Sequence, residues 1–363
     1  MNYLARLSNV ERHVDSIALD AVLITHLPNI RYLCGFTGSS AVLAFARGEW
    51  AFFTDGRYTQ QAKEQVEGAS VKTGAMAPLT HASQWLAGKL KRSRNRTRIA
   101  LEAEHVTLAM QTRIASELRT TKHRFVPTRT LVEQFRIRKD AGEIQQIRKA
   151  VQLASSVFPK ALEAIDSSAT ENEIAAQLEH LARSSGAEKM SFETIVASGT
   201  RSALPHAQPT RKRIGHGFVV LDYGVILGGY CSDMTRTVRV GGADRAARAL
   251  YSAVLEAQLA GIAAVRAGTE AQMVDAAARS VLRKHKLDKF FTHSLGHGVG
   301  IEIHESPRLA KGQEQKLETG MVVTVEPGVY IPGNGGVRIE DVVLVTSNGC
   351  QVLTPTPKEL VIR

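Results

Sequence analysis

Residues 219–240 read VVLDYGVILGGYCSDMTRTVRV, two strand-like runs joined through Gly228-Gly229. A glycine pair between two such runs predicts a β-hairpin with a two-residue turn. The register of that turn places Asp222 opposite Thr235, and Asp233 then lies on the same face as Asp222. Diagonal neighbours of this kind are about 7–8 Å apart at Cα. The hairpin therefore predicts either two carboxylates that share a pair of metal ions or an edge hairpin with two solvated aspartates.

Two glutamates occur in strand-like segments nearer the C-terminus. Alternation in MVVTVE places Thr324 and Glu326 on one face. Alternation in VRIEDVVLV places Arg338 and Glu340 on one face. Glu340 lies in an otherwise apolar run, where an unpaired charge would be costly. It therefore needs a partner, which is either Arg338 or a metal ion.

The histidines of interest lie in FTHSLGHGVGIEIHESPR, residues 291–308. His293 and His297 have the i, i+4 spacing of a helical zinc pair, but three nearby glycines argue against a helix. We therefore expect an extended backbone that other segments approach closely. His304 has the opposite strand parity to His297 and would need a glycine bulge to reach the same face. Spacing alone leaves His304 outside the site.

Five side chains are candidate metal ligands. Four carboxylates and one imidazole that converge on one point would repel one another without cations, and two divalent ions would cancel the four negative charges. The pattern therefore predicts a two-metal hydrolase. The candidate ligands are Asp222, Asp233, His297, Glu326 and Glu340.

The composition is that of a globular protein, because 44% of the 363 residues are hydrophobic and 22% are charged. No apolar run is long enough to cross a membrane, so no membrane partner is expected. The N-terminal segment lacks the apolar core of a signal peptide, which predicts a cytoplasmic protein. Three cysteines lie far apart and predict reduced thiols, not disulfides or a zinc knuckle. They are Cys34, Cys231 and Cys350.

The net charge of +11 raises the question of nucleic-acid binding. The densest basic run is KLKRSRNRTR, residues 89–98. No aromatic residues interleave with this run and no recognition motif surrounds it. We therefore expect a solvated turn before the strand-like IALEAEH, and no nucleic-acid partner.

The N-terminal third alternates helix and strand patterns. Residues 4–17 have apolar positions at helical spacing, and Ala21–Ile24 is a short strand-like run. The runs Ala41–Ala46 and Trp50–Thr54 flank a turn at Arg47-Gly48, which predicts a hairpin. The alternation continues to about residue 132 and predicts an α/β domain over residues 1–132.

The rest of the chain, residues 133–363, predicts an α+β domain. Its charged residues 135–150 read as a connector that runs into a helix, and Thr170 with Glu173 matches a capping box at the start of another. Helical patterns follow over about 244–266 and 270–285. Most of the remaining sequence from about residue 190 reads as strand and glycine-bearing turn.

A resemblance to a known family becomes specific at this point. The segments LDYG…YCSDMTRT, HSLGHGVGIEIHE, TVEPGVYI and GGVRIEDVV, in that order, resemble the pita-bread metallopeptidases, which include methionine aminopeptidase, Xaa-Pro aminopeptidase and prolidase. The segments NIRYLCGFTGSSAVL and FTDGRYTQQA resemble the proline-specific branch. The resemblance covers nearly the whole chain. It implies an α/β creatinase-like N-terminal domain followed by an α+β pita-bread catalytic domain.

The resemblance also implies roles for individual residues. Asp222 would chelate one metal ion, His297 and Glu326 the other, and Asp233 and Glu340 would bridge the two. Oxygen-rich ligation favours manganese, with cobalt and zinc as alternatives. Arg338 matches an arginine that orients a ligand carboxylate. Three histidines match residues that surround the metals or contact substrate, namely His206, His293 and His304.

The implied activity is that of an Xaa-Pro aminopeptidase, which cleaves before a proline in second position by a hydroxide that bridges two divalent metals. Glu326 would carry a proton to the leaving nitrogen, and His304 would donate to the oxygen on which charge develops. Methionine aminopeptidase is disfavoured, because a whole domain precedes the catalytic half. The resemblance further implies a homodimer whose N-terminal domain restricts access to the site.

Two alternatives stay open. The first is a prolidase, which accepts Xaa-Pro dipeptides only and must bind the free carboxylate of proline, a role that Arg308 in HESPRLA would suit. The second is a metal-free pita-bread protein that binds a partner, against which the presence of all five ligands argues.

Overall fold

The computed structural model describes residues 1–91 and 95–363. The described chain forms two units, Met1–Arg136 and Ile137–Arg363. The domain boundary expected from the sequence, between residues 132 and 133, falls shortly before this division. Residues 92–94, the centre of the basic run expected to form a solvated turn, lie outside the described residues.

The N-terminal unit alternates helices and strands. Its helices are α1 (Tyr3–Ser16), α2 (Leu27–Cys34), α3 (Thr59–Gln65), α4 (Pro78–Leu90), α5 (Leu108–Glu117) and α6 (Glu133–Arg136). Its strands are β1 (Ala21–Ile24), β2 (Ala41–Ala46), β3 (Glu49–Asp55), β4 (Ser70–Gly74), β5 (Thr97–Glu102) and β6 (His123–Thr128). A 3₁₀ turn covers Gly56–Tyr58.

These strands form one mixed sheet in the order β4-β3-β2-β1-β5-β6. The hairpin of β2 and β3 turns at Arg47-Gly48, where both residues have positive φ (57° and 72°). A two-residue type I′ turn requires this geometry, and the predicted hairpin is confirmed. Helices α4 and α5 bury apolar side chains against the sheet, with Leu86 and Ile114 in one cluster with Leu23 and Phe53. The result is the α/β architecture predicted for this part of the chain.

The second unit contains longer helices and many short strands. Its helices are α7 (Ala141–Glu163), α8 (Glu171–Ser184), α9 (Arg245–Ala264) and α10 (Ala271–Lys284). Its strands are β7 (Lys189–Met190), β8 (Ile195–Ser198), β9 (Gly217–Tyr223), β10 (Val225–Leu227), β11 (Tyr230–Cys231), β12 (Met234–Val240), β13 (Gly296–Gly298), β14 (Glu305–Leu309), β15 (Val322–Val325), β16 (Gly328–Ile331), β17 (Gly335–Arg338), β18 (Asp341–Thr346) and β19 (Gly349–Val352). Two 3₁₀ turns cover Gly199–Ala203 and Asp288–Phe290.

Antiparallel pairing joins these strands, as expected for an α+β unit. The sheets have the orders β14-β13-β15-β18-β19, β12-β9-β8, β11-β10-β7 and β16-β17. Helices α9 and α10 bury Val254 and Val274 against Val323 and Val343 of the largest sheet. Helix α8 begins with the predicted capping box, because Thr170 and Glu173 exchange side chain–backbone hydrogen bonds.

The hairpin of residues 219–240 has the predicted register. Leu227 pairs with Tyr230 across the glycine turn, and Asp222 pairs with Thr235. Gly228 and Gly229 both have positive φ (58° and 77°), which residues with a Cβ rarely adopt. The turn chemistry therefore fixes which residues of β9 and β12 share a face.

The strand predicted over VRIEDVVLV is interrupted. Strand β17 ends at Arg338 and β18 begins at Asp341, so Glu340 lies in the break between two sheets. The prediction of one continuous strand was therefore wrong here, although the side chains of Arg338 and Glu340 both bond to the Thr235 hydroxyl and so lie on one side. The Glu340 backbone N–H instead donates to the carbonyl of Thr235 (3.1 Å), which ties the break to β12. This bond satisfies a buried backbone donor that a regular ladder would otherwise pair.

Two smaller expectations concern the cysteines and the helices. Cys34, Cys231 and Cys350 are free thiols, as expected. No helix within residues 1–91 and 95–363 is both long and apolar enough to cross a membrane.

Gly224 provides a test of how closely the central strands approach each other. A Cβ on this residue would lie 1.9 Å from the carbonyl oxygen of Ser232, a backbone atom that cannot move aside easily. We expect Gly224→Ala to lower the free energy of unfolding by about 1–3 kcal/mol or more in denaturant titrations. Gly242→Ala is the matched control, because a Cβ there would meet nothing within 4 Å. Equal stability of the two variants would contradict the close approach.

Candidate metal centre

The five candidate ligands come from separate segments of the second unit. Asp222 lies in β9, Asp233 directly precedes β12, and His297 lies in β13. Glu326 directly follows β15, and Glu340 lies between β17 and β18. The antiparallel sheets thus bring together residues that are up to 118 positions apart in the chain.

Ligand atoms of Asp233, His297 and Glu340 all lie within 4.8 Å of one another, a spacing that could hold a metal ion. His297 Nε2 is 3.6 Å from Asp233 Oδ2 and 3.4 Å from Glu326 Oε1. The four side chains therefore form one cluster. Asp233 and Glu340 are buried, at 5% and 2% exposure. Little water can therefore solvate their negative charges when no cation is bound.

Asp222 joins the cluster through Arg338. Arg338 Nη2 donates to Asp222 Oδ2 (2.5 Å), and Arg338 Nε donates to Thr235 Oγ1 (3.2 Å). Thr235 Oγ1 in turn donates to Glu340 Oε2 (2.8 Å). The other carboxylate oxygen of Asp222, Oδ1, is buried and has no hydrogen-bond partner in the described part of the chain. An unpartnered buried carboxylate oxygen beside other carboxylates is suited to a cation.

The cluster carries excess negative charge. Four carboxylates contribute −4 and Arg338 contributes +1, which leaves −3 when all are ionised. Burial, and then the charges of neighbouring carboxylates, raise the pKa of Asp233 and of Glu340. Burial also raises the pKa of Glu326 to about 8. Without cations the cluster would therefore take up protons to reduce its charge.

His297 is prepared to act as a neutral ligand. Burial lowers its pKa to about 4, so the imidazole is uncharged at neutral pH. Its Nδ1 lies 3.0 Å from the carbonyl oxygen of Gly298, which places the ring proton on Nδ1. Nε2, which faces Asp233 and Glu326, therefore keeps its lone pair. One imidazole among carboxylates is a donor set that fits divalent manganese, cobalt or zinc.

His304 lies beside the cluster, although strand parity alone left it outside. Its ring is 4.4 Å from that of His297, centroid to centroid. The strand register shifts between His297 and Gly298. This shift is the kind of bulge at a glycine that His304 was expected to need in order to reach the face of His297. Burial, followed by the nearby His206, lowers the pKa of His304. The side chain is therefore a neutral donor or acceptor at the edge of the site.

His293 lies close to Arg338 and to His206. Burial and then Arg338 lower the pKa of His293 to about 4. His206 is exposed but close enough for its charge to lower the pKa values of both His293 and His304. All three histidines singled out in the sequence are thus near the carboxylate cluster.

Tyr330 is a site residue that sequence reasoning missed. It is 5% exposed, and its hydroxyl accepts from Arg338 Nη1 (2.6 Å) and donates to His293 Nε2 (2.9 Å). His293 Nδ1 donates to the carbonyl of Ser294 (2.8 Å), which leaves Nε2 as the acceptor. Burial raises the pKa of Tyr330 to about 12, so the phenol stays protonated. The available signal was a polar aromatic residue in the apolar run of TVEPGVYI.

The excess charge predicts how stability depends on pH without metal. The folded-state pKa of Glu326 is about 8, above its ordinary value of 4.5, so the folded state binds more protons than the unfolded state between these values. Between about 4 and 6.5 the lowered pKa values of His293 and His297 act in the opposite direction. We therefore expect the chelated protein to lose stability as the pH rises from about 6.5 to about 8. Added manganese should remove most of this loss. Thermal unfolding midpoints with chelator and with manganese test it.

Glu326→Gln is the control for that pH dependence, because it removes one titrating carboxylate and keeps the shape of the side chain. Its chelated form should show a weaker decline. A wild-type chelated protein that becomes more stable over this pH range would contradict the charge imbalance.

Comparisons with known proteins identify the family of the chain. Residues 145–347 match metallopeptidase family M24, and residues 6–138 match the creatinase/prolidase N-terminal domain. The structure is similar to an Xaa-Pro dipeptidase from Bacillus anthracis, with 38% identity, full coverage of both chains and a TM-score of 0.93.

Two further solved structures cover 98% of this chain and all of their own. One is an X-Pro aminopeptidase from Thermotoga maritima, at 35% identity and a TM-score of 0.88. The other is a prolidase from Pyrococcus horikoshii, at 34% identity and a TM-score of 0.90. The predicted fold class, a creatinase-like domain followed by a pita-bread domain, is confirmed. The chain belongs to metallopeptidase family M24, in the branch that carries a creatinase/prolidase N-terminal domain.

Proposed function

We propose that this chain is a dinuclear metal-dependent Xaa-Pro peptidase and that its substrates are Xaa-Pro dipeptides. The observation that carries the proposal is the largely buried cluster of four carboxylates and one neutral imidazole, with an unpartnered Asp222 Oδ1. Such a cluster is ionised at neutral pH only if cations compensate it, and two divalent ions would offset its excess negative charge. Manganese suits its oxygen-rich donors, with cobalt and zinc as alternatives.

Within this proposal each ligand has a distinct role. Asp222 would hold one ion, while His297 and Glu326 would hold the other. Asp233 and Glu340 would bridge the two, which is consistent with their deep burial. Divalent ions bound here would supply an activated water molecule and polarise the scissile carbonyl.

Glu326 would carry the proton from the attacking water to the leaving nitrogen of proline. Its Oε1 accepts a hydrogen bond from Thr324 Oγ1 (3.2 Å), which orients the carboxylate. An imide nitrogen is a poor leaving group until it is protonated, so a correctly placed proton carrier contributes directly to the rate.

His304 would donate to the substrate oxygen on which negative charge develops. A preorganised donor contributes most at such a position. His293 is held by Tyr330 and by the carbonyl of Ser294, so its ring has a fixed orientation. We propose that His293 and His206 position the substrate, and that Arg338 orients Asp222 through their hydrogen bond.

Arg308 favours a dipeptide substrate over a longer peptide. It lies in β14 opposite His297, and its charge contributes to the lowered pKa values of His297 and His304. The side chain is exposed, and no carboxylate among residues 1–91 and 95–363 pairs with it. A guanidinium in this position suits the free carboxylate of an Xaa-Pro dipeptide.

An Xaa-Pro aminopeptidase is the second candidate, and the family resemblance found in the sequence favoured it. The similarity to the Thermotoga maritima X-Pro aminopeptidase supports this candidate. The similarity to a dipeptidase and to a prolidase, together with the position of Arg308, supports the first. The two candidates share the metal centre and differ in what the protein does with the carboxyl side of proline.

A comparison of substrates tests the dipeptidase proposal. We expect manganese-loaded protein to cleave an Xaa-Pro dipeptide and to cleave the matching Xaa-Pro-Yaa tripeptide far more slowly. Arg308→Gln should raise KM for the dipeptide about tenfold, because a charge-assisted contact to its carboxylate is lost. Arg283→Gln, which changes an exposed arginine of α10, is the matched control. Efficient tripeptide cleavage that Arg308→Gln leaves unchanged would favour the aminopeptidase.

Two variants separate metal binding from proton donation. Asp233→Asn should abolish activity and weaken metal binding, because it removes a bridging charge. His304→Ala should lower turnover about 10²- to 10⁴-fold with nearly unchanged metal content. Elemental analysis and steady-state kinetics measure both.

Three outcomes would contradict these assignments. Full activity of Asp233→Asn would refute its bridging role, and metal loss from His304→Ala would make His304 a ligand. A wild-type chain that binds less than one ion and stays inactive after manganese addition would indicate a metal-free binding protein.

A further inference from the structure

We propose that Glu171 is a positioning residue that holds the loop 198–210, and with it His206, beside the metal centre. The substrate part of this inference rests on the function proposed above. Glu171 is the first residue of α8 and belongs to none of the segments that carry the candidate ligands. Its side chain is fully buried, at 0% exposure.

A single carboxylate holds both ends of the loop. Glu171 Oε1 accepts from the backbone N–H of Ser198 (2.8 Å) and from its hydroxyl (3.2 Å). Glu171 Oε2 accepts from the backbone N–H of Thr210 (3.1 Å) and from its hydroxyl (2.7 Å). Segments separated by twelve positions in the sequence are therefore joined at one side chain.

The middle of the loop is bound to the same carboxylate. Arg201 Nε lies 3.0 Å and 3.2 Å from the two Glu171 oxygens, and Arg201 Nη2 donates to the carbonyl of Gln208 (2.6 Å). A buried carboxylate with this set of donors is fully compensated, whereas removal of its charge would leave several buried donors without an acceptor. Ser198 is the last residue of β8, and the backbone N–H of Asn172 donates to the carbonyl of Thr210 (3.0 Å). Between these ends the loop contains only a short 3₁₀ turn, so side-chain bonds contribute much of what fixes its conformation.

The far side of the loop contacts the metal centre. The carbonyl of Pro205 accepts from Arg338 Nη1 (3.1 Å), and Arg338 is the residue that binds Asp222. The hydroxyl of Ser202 accepts from the backbone N–H of Gly336 in β17 (2.8 Å). The loop is thus held by Glu171 on one side and attached to the strand that bears Arg338 on the other.

His206 depends on this arrangement more than His293 does. His293 is fixed by hydrogen bonds at both ring nitrogens, one donated and one accepted, but His206 makes no hydrogen bond within residues 1–91 and 95–363. Its position is therefore set by the backbone of the loop that carries it. A change at Glu171 would reach the substrate through that backbone, although Glu171 touches neither substrate nor metal ligand.

Glu171→Gln tests the inference with little change in side-chain shape. The amide oxygen can replace one acceptor, but the amide nitrogen is a donor that would face the donors of Thr210 and Arg201. Glu173→Gln is the matched control, because it makes the same charge change in the first turn of α8 at an exposed residue of the capping box. Thr210→Val is a milder second variant that removes one bond to Glu171 and retains the carboxylate.

Hydrogen exchange of the metal-loaded protein measures the loop itself. We expect Glu171→Gln to speed amide exchange over residues 198–210, at Ser198 and Thr210 above all, with little change in the strands of the centre. Thr210→Val should show a smaller effect in the same segment, and Glu173→Gln should show none there.

Kinetics measure the consequence for substrate. We expect Glu171→Gln to raise KM for the cleaved Xaa-Pro peptide about tenfold, with kcat changed far less and metal content unchanged. A role in stability alone would lower the fraction of active protein, and so kcat, and would leave KM unchanged.

Each outcome bears on the inference. Exchange unchanged in both loop variants, or faster exchange throughout the second unit, would overturn it. Faster loop exchange with unchanged KM would also overturn it, because the loop would then not position His206 for substrate. A wild-type chain that cleaves no Xaa-Pro peptide would refute the proposed function and the substrate role of His206, and exchange would still decide whether Glu171 holds the loop.

Discussion

The excess negative charge of the buried carboxylate cluster is the constraint on which the site depends. Arg338 is the one guanidinium that bonds to a carboxylate of the cluster in the described residues, and it is shared among Asp222, Thr235 and Tyr330. A guanidinium in this geometry cannot neutralise four carboxylates at once. The cluster must therefore gain either protons or cations, and the neutral imidazole of His297 is suited to the second state. The Arg338 side chain also links the cluster to Tyr330 and, through Tyr330, to His293. One guanidinium therefore connects the carboxylates of the site with its histidines.

Close backbone packing makes this density of charge achievable. At Gly224 and Gly296 a Cβ would lie 1.9 Å and 2.0 Å from carbonyl oxygens of neighbouring segments. Strands that approach this closely carry Asp222 and His297 to the cluster from different sheets. The helices α9 and α10 cover the five-stranded sheet and exclude water from the face that they pack against. Charge and packing are therefore coupled, because the low polarity of the surroundings both raises the cost of unpaired carboxylates and strengthens the binding of any ion among them.

Local chemistry made part of this predictable. The glycine turn at residues 228–229 determines a register that needs no knowledge of the rest of the chain, and Asp222 pairs with Thr235 as that register requires. Family resemblance supplied the roles of the individual ligands, which the sequence pattern alone left open. The backbone bond of Glu340 to Thr235 and the bond of Tyr330 to His293 join segments far apart in sequence. The approach of His304 to His297 depends on a register shift within β13, which alternation does not report. No periodicity reports such contacts, and Glu171 shows the difficulty well: it looks like an ordinary first-turn acid of a helix, yet it binds a loop.

The interruption between β17 and β18 has a mechanical consequence. Glu340 lies where a two-stranded sheet, which carries Tyr330 and Arg338, passes into a five-stranded sheet that carries His297. An ion bound by both Glu340 and His297 would hold the two sheets together at this break. The relative orientation of the two sheets, and so the distance between Tyr330 and the carboxylates, would then depend on what the joint contains. The metal centre would then be part of the structure that holds the sheets in place. Removal of the ions would destabilise the fold and also abolish catalysis.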